Sequence, residues 1–326
     1  MSIMVRAVVL GGLLMALSFG VLSEELWTVG FAVSTPDGTV LFATQASYTL
    51  TEEGFQSAGD FAVSRGPAYI KMTEPLPRRL LLSNATPQEQ EFLLLEFVDT
   101  TAVEFALDER KGRSHRLELA AGEEVSFSTE LPLVKDGLHN LFLVCLYRLR
   151  GPGAELATHL RAYVESLFVG EGRAPQHTAA RPGTFLEGHR GNRLRRELPK
   201  GGLLISLERT PEAGDFLTEL ETSSGEELRY YIHMRNGRTG QPATEFAIIA
   251  VLDGKQIPVS GDPEDPAVSV RLEPGAEITV PAKLTAPEES GEHELWLLAL
   301  EEPYTRKGSF PGPGLRYSLR VRLVVR

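Results

Sequence analysis

Seven histidines and one cysteine are the residues at which metal or nucleophilic chemistry would have to begin in this chain. His139 and His293 stand out because their surroundings repeat. Each follows a glycine by two positions, Gly137 and Gly291, and each opens an apolar run. A zinc site needs further ligands at coordinating spacing, and neither Cys-x-x-Cys nor His-Glu-x-x-His occurs in the sequence. The equivalent settings give each histidine a structural place in its own unit rather than a share in one metal site. His115, His159, His177, His189 and His233 are scattered. Cys145 lies within the apolar run Leu141 to Leu146, where a thiol behaves as a small buried hydrophobe. With a single cysteine no intrachain disulfide forms.

The densest acidic stretch, Gly261-Asp262-Pro263-Glu264-Asp265-Pro266, offers oxygen ligands to Ca²⁺. It lacks the spacing of a calcium loop, and its prolines suit an exposed turn. Asn84-Ala85-Thr86 is an N-glycosylation sequon. Arg193-Leu194-Arg195-Arg196 is a basic run, and Arg193, Arg195 and Arg196 are the candidate contacts to an acidic partner surface or to anionic lipid headgroups. No Gly-x-Ser-x-Gly elbow, phosphate-binding glycine loop or dinucleotide fingerprint is present. The expectation is a protein with no catalytic residue, no cofactor and no bound metal.

The elements that would position these residues come in two copies. Arg116 to Leu146 is written again, loosely, from Arg271 to Leu300. Gly122 matches Gly275 at an offset of 153, Gly137 matches Gly291 at 154, and a one-residue gap reconciles them. Glu124, Val125, Phe127 and Leu131 fall opposite Glu277, Ile278, Val280 and Leu284; His139, Leu141, Phe142 and Leu143 fall opposite His293, Leu295, Trp296 and Leu297. A repeat of this length points to one folding unit used twice.

At 326 residues the chain suits two domains that each bury a core. A net charge of −11 argues against a nucleic-acid partner, whose phosphates select clustered Lys and Arg. Residues 1–23 carry Arg6 and then an unbroken apolar or small run from Ala7 to Leu22, with Glu24 and Glu25 beyond. This reads as a signal peptide cleaved after Ser23; residues 7–22 as an uncleaved anchor are the alternative, short of the about 20 residues of a membrane span. Either reading places the remainder outside the cytoplasm, periplasmic or secreted. Residues 24–170 form the first expected domain and 201–326 the second. Between them, 171–200 has neither helical nor strand periodicity and carries six Arg and Lys200 against three Glu, which reads as a linker or long exposed loop.

Short alternating segments fill both domains and no amphipathic helix of ordinary length follows residue 30. Leu26 to Ala43 reads as a hairpin around Pro36-Asp37-Gly38, and Asp253-Gly254 as the turn of another. From Leu315 to Arg326 strict alternation predicts one half-buried strand with Arg316, Arg320 and Arg322 on its outer face. Trp27 and Trp296 both take strand positions that look inward.

On these residues the repeated unit resembles bacterial immunoglobulin-like or fibronectin-III-like sandwich modules of the adhesion-related, CARDB-like kind. Immunoglobulin-like domains enter their sixth strand through Asp-x-Gly-x-Tyr-x-Cys, whose Tyr closes a corner onto the backbone. Gly137, His139 and Leu141 stand at those Gly, Tyr and Cys positions, and Gly291, His293 and Leu295 repeat them. The departures are His for Tyr and the missing disulfide with its tryptophan. The resemblance implies an all-β chain of two tandem antiparallel sandwiches behind an apolar export segment. The expected role is a non-catalytic interaction or structural module of the cell envelope, whose partner is another envelope or surface protein or a second copy of itself. The alternatives are a carbohydrate-binding module, or a hydrolase with an inter-domain cleft using Arg195 or His189.

Overall fold

The computed structural model of the chain describes residues 26–34, 36–37, 40–51, 54–64, 69–131, 133–151, 154–191, 194, 202–211, 216–237, 242–263, 265–305, 315–318 and 320–326, with the backbone alone over most of 45–64 and 148–161. The export segment expected at 1–23 lies outside the described residues. Among those residues there is no α-helix.

In chain order the strands of the first half are β1 (Leu26–Ser34), β2 (Val40–Thr51), β3 (Gly54–Ser64), β4 (Ile70–Met72), β5 (Leu76–Ala85), β6 (Gln90–Val98), β7 (Thr101–Ala102), β8 (Phe105–Leu107), β9 (Arg110–Gly112), β10 (Ser114–Leu119), β11 (Glu124–Leu131), β12 (Gly137–Gly151) and β13 (Ala154–Val169). One sheet runs β3-β2-β1-β5-β11-β8-β9 and the other β10-β6-β12-β13-β4, with β7 paired to β6. They face each other as a sandwich. Phe31 and Leu82 from the first sheet meet Phe92, Leu94, Leu143 and Tyr163 from the second in one core. Where sequence patterning yields one short strand near Phe61 to Val63, the backbone ladder of β2 with β3 extends over Phe42 to Thr51.

The second half contains β14 (Leu186–Glu187), β15 (His189–Arg190), β16 (Leu203–Ser206), β17 (Glu219–Thr222), β18 (Glu227–Arg235), β19 (Thr244–Leu252), β20 (Lys255–Ile257), β21 (Ala267–Leu272), β22 (Ala276–Thr285), β23 (Gly291–Glu301), β24 (Leu315–Tyr317) and β25 (Val321–Val325). Its sheets run β14-β21-β19-β23-β25-β17 and β15-β22-β18-β16. Strand by strand, β21-β19-β23-β25-β17 repeats β10-β6-β12-β13-β4, including a parallel last pair in each. Likewise β22-β18-β16 repeats β11-β5-β1.

A third apolar layer joins the halves. Side chains alternate across a strand, so β12 sends Leu141, Leu143 and Cys145 into its own core and Phe142, Val144 and Leu146 to the other side. In the same way β23 sends Leu295, Leu297 and Ala299 into the second core and Trp296, Leu298 and Leu300 outward. The two outward rows meet, together with Leu93, Leu95 and Phe97 from β6 and Ala247, Ile249 and Val251 from β19. Four sheets thus stack around three apolar layers, and β6, β12, β19 and β23 are apolar on both faces because both are covered. Trp296 is 2% exposed, but it is buried against the opposite half rather than in its own sandwich. Polar bonds flank the layer. The Gln256 amide accepts from Ala102 N–H at 2.6 Å and donates to Thr100 O at 2.8 Å; Asn140 Nδ2 donates to Pro303 O and Thr305 O at 2.7 and 2.9 Å.

One expectation from patterning is corrected here. The final alternation breaks into β24 and β25, because Tyr317 pairs with Leu298 while Val321 pairs with Leu295. Four steps on one strand span three on its partner, and this bulge swaps the faces. Leu315 and Tyr317 pack on the layer between the halves, while Val321, Leu323 and Val325 enter the second core. Arg316, expected outside, is 9% exposed, lies 4.6 Å above the Phe246 ring centroid and donates to Arg235 O at 2.8 Å.

The segment 171–191, expected as a linker or long exposed loop, is exposed over most of its length and is fastened to the body at single points. Ala174 packs on Leu138 and Phe168, Thr178 N–H donates to Tyr304 O at 2.8 Å, and Arg181 pairs with Glu245. β14 then joins β21, and β15 joins β22, so the segment crosses from one sheet to the other. Gly188 sits at the crossing, where an added Cβ would lie 2.3 Å from Leu272 and 3.0 Å from Glu277 O. Only glycine lets the backbone pass that close.

Candidate functional sites

The two corners are built alike from residue to residue. At the start of β12 and β23, Gly137 and Gly291 take φ of 127° and 141°, a region that requires glycine. Two residues on, His139 Nδ1 lies 2.9 Å from Asp99 Oδ2 and its Nε2 2.9 Å from Lys135 O. His293 Nδ1 lies 2.6 Å from Asp253 Oδ2 and its Nε2 2.9 Å from Glu289 O. The other carboxylate oxygen, Oδ1, accepts the next backbone N–H, from Asn140 at 2.9 Å and from Glu294 at 2.8 Å. Asp99 and Asp253 each sit in a tight turn with positive φ, 56° and 51°.

Both ring nitrogens of each histidine face acceptors, so the ring fills both bonds only as the doubly protonated cation. The Asp99 hydrogen bond holds His139 above the usual imidazole value, against the opposing pull of burial. Burial would lower His293, and the Asp253 and Glu289 bonds outweigh it, again raising the value. The geometry makes each histidine a buttress that ties a turn to a strand start. It leaves no open ligand position on either ring.

A second polar group lies on the outer face of β16, β18 and β22. Ser206 and His233 are both 0% exposed. Ser206 Oγ donates to Glu208 O at 2.6 Å, which leaves Oγ to accept from His233 Nε2–H at 2.7 Å. His233 Nδ1 then accepts from the Thr279 hydroxyl at 3.1 Å. In a nucleophilic Ser–His pair the proton passes from the serine to the imidazole; here the serine proton is committed to a carbonyl. Beside this group an open depression of about 510 Å³ is lined by Glu187, His189, Arg209, Thr210, Glu277 and Thr279 among others. Glu277 is 4% exposed and accepts from Leu194 N–H at 3.1 Å, and His189 Nε2 stands 3.9 Å from its carboxylate.

The remaining sequence candidates fall as follows. Arg193, Arg195 and Arg196 lie outside the described residues. Asp262 and Asp265 are exposed on a turn closed by Asp265 N–H to Asp262 O at 3.1 Å. Among the described residues no cluster of three or more His, Cys, Asp or Glu could hold a metal ion. Cys145 is buried in the first core. His115 is buried and bonds Phe105 O at 3.1 Å, with burial pushing its value down; His177 and His189 are exposed. Asn84 is 0% exposed, and its amide donates to Gln88 O, Leu119 O and Ala120 O at 2.8 to 2.9 Å, so the sequon nitrogen is spent inside the fold. Asn236 repeats the central bond, donating to Leu272 O at 3.0 Å.

The corner aspartates were missed in the sequence, although a signal was there. Asp99 and Asp253 keep the 154-residue offset of the histidines, so the repeat reaches back to 40 residues before each histidine when the turn dipeptides Asp99-Thr100 and Asp253-Gly254 are aligned.

No protein-family model matches the chain, and no curated protein matches it. Among solved structures it is similar to a CARDB domain of a Pyrococcus furiosus protein solved with di-metal ions, at 13% identity and a TM-score of 0.25, covering 39% of this chain and 89% of that one. It is similar to red sea bream transglutaminase at 10% identity and a TM-score of 0.22, covering 80% of this chain and 30% of the enzyme. A third likeness is to the chaperone–tip adhesion subunit pre-assembly complex of Acinetobacter baumannii Csu pili, at 12% identity and a TM-score of 0.20, covering 80% and 97%. The β-sandwich, immunoglobulin-like assignment of this chain rests on its own strands and sheets.

Proposed function

We propose that the protein is an exported, non-catalytic interaction or structural module of the cell envelope, with sandwich domains at 24–170 and 201–326. The observation that carries this reading is the apolar layer between the halves. It fixes the four sheets as one body and leaves sheet edges and loops as the working surface, where strands and loops supply contacts. The buried polar groups fit the same reading, since the Asp–His corners and the Ser206–His233–Thr279 chain are spent on holding the fold. Export rests on the apolar run at 7–22. The partner is another envelope or surface protein, or a second copy.

Fractionation of the source cells, combined with photo-crosslinking from Leu133 or Leu207, both exposed, tests this. The reading expects the protein in the envelope or medium and a discrete adduct from at least one position. A cytoplasmic protein that gives no adduct would overturn it. A second reading, a small-ligand or hydrolytic site, is favoured by the depression beside Glu277. It expects chemical-shift changes on Glu277 and His189 with a polar ligand library, and loss of them in Glu277→Gln.

A further inference from the structure

The duplication provides a control for the contents of each core. Equivalent strand pairings set Thr129 against Arg78 and Ala282 against Tyr230, Leu143 against Glu96 and Leu297 against Ala250, Leu141 against Glu165 and Leu295 against Val321. The first half therefore carries Arg78, Glu96 and Glu165 where the second carries Tyr230, Ala250 and Val321. The strand plan is the same in both, so the fold itself does not call for these charges.

The charged groups lie together inside the first sandwich. Arg78 is 2% exposed, Glu96 0%, Tyr163 1% and Glu165 5%. Glu96 and Tyr163 flank Leu143 on adjacent strands, and Arg78 reaches them from the opposite sheet. Arg78 Nη2 donates to Glu96 Oε1 at 2.6 Å, and Tyr163 Oη donates to Glu165 Oε2 at 2.8 Å. Arg78 Nε and Nη1 and Glu96 Oε2 have no hydrogen-bond partner among the described residues. Two donors and one acceptor are thus buried, unanswered and adjacent. Buried groups of this kind are satisfied by some hydrogen-bonding species.

We propose that the core of the first half encloses a bound-water site, in which at least one molecule accepts from Arg78 and donates to Glu96 Oε2. The charges select the ligand. An anion on the free Arg78 N–H groups would meet the Glu96 and Glu165 carboxyls, and a metal cation on Glu96 would meet the guanidinium. A neutral species that both donates and accepts suits all of them. Burial also pushes the Glu165 carboxyl up to about 7, so this neighbour takes up a proton close to neutral pH.

The test is a high-resolution crystal structure of the intact protein, paired with water-oxygen relaxation dispersion in solution. Expected are a solvent peak within hydrogen-bond distance of an Arg78 nitrogen and of Glu96 Oε2, and loss of at least one long-lived water in the variant R78Y/E96A, which installs the second half's residues. Arg78 found fully paired with protein groups and no solvent peak would sink the proposal. So would an unchanged count of long-lived waters in a variant that keeps the wild-type circular dichroism. Should that variant fail to fold, the wild-type density decides alone.

Discussion

Along equivalent rungs of the same strand plan, the first half encloses an Arg78–Glu96 ion pair at 2.6 Å while the second encloses Tyr230 and Ala250. Both arrangements close a sandwich. A buried ion pair is dearly desolvated and is often replaceable by apolar residues without loss, and the second half shows such a replacement within one chain. Stability alone thus does not account for the charges of the first. The comparison also shows where the halves agree, since both keep the Asp–His corner and both keep a buried asparagine.

The largest effect expected is at the ion pair. Arg78→Ala, which strands Glu96, is expected to cost about 3–5 kcal/mol, whereas Tyr230→Phe at the equivalent rung removes a hydroxyl without a hydrogen-bond partner and is expected to fall within about 1 kcal/mol of wild type. Urea unfolding midpoints measure both; equal costs would break the contrast. The shared layer should instead treat the halves alike. Phe142→Ala and Trp296→Ala, equivalent residues that meet in that layer, are each expected to cost about 3–5 kcal/mol by the same measurement.

The contrast has a pH signature. Burial raises the Glu165 carboxyl from 4.5 to about 7, so the folded state holds a proton that the unfolded chain has released. This contribution is complete below about pH 4.5 and is lost as pH rises to about 7, on the order of 3 kcal/mol in all. Glu165→Gln should flatten that slope in denaturation series across the window, and the second half, with Val321 there, should add none of its own. The smallest effect expected is at the corners. His139→Ala and His293→Ala should each cost about 1–2 kcal/mol at pH 6. Because both imidazoles are raised, their stabilisation is complete below the unfolded value of about 6.5 and fades as pH climbs through the folded one. A difference of several-fold between the two variants would separate corners that look alike.

The repeat and its alternation carried the β class, most strand positions and the two corner histidines. The layer between the halves was also written in the sequence, as the runs Phe92 to Leu95, Leu141 to Leu146, Phe246 to Val251 and Leu295 to Leu300, which are apolar on consecutive residues. A strand covered on one face has no need of that. Other features were illegible for definite reasons. Arg316 reads as an outer residue until the bulge before Val321 is known, since one inserted residue reverses every later side chain. The path of 171–191 depends on single contacts such as Thr178 to Tyr304, which leave no period. The Arg78–Glu96 pair joins strands that follow one another in sequence but lie in opposite sheets, so no spacing rule announces it.

The middle layer has one further consequence. Phe142 and Trp296 are equivalents, as are Val144 and Leu298, Leu146 and Leu300, and all six line the same contact. Ala102 and Gln256 are equivalents too, and they bond each other. A surface that meets its own copy in this way is the mark of a twofold axis between identical subunits. Here a single polypeptide supplies both sides, and substitutions beside Ala102 or Gln256 fall where equivalent positions of the two halves bond each other directly.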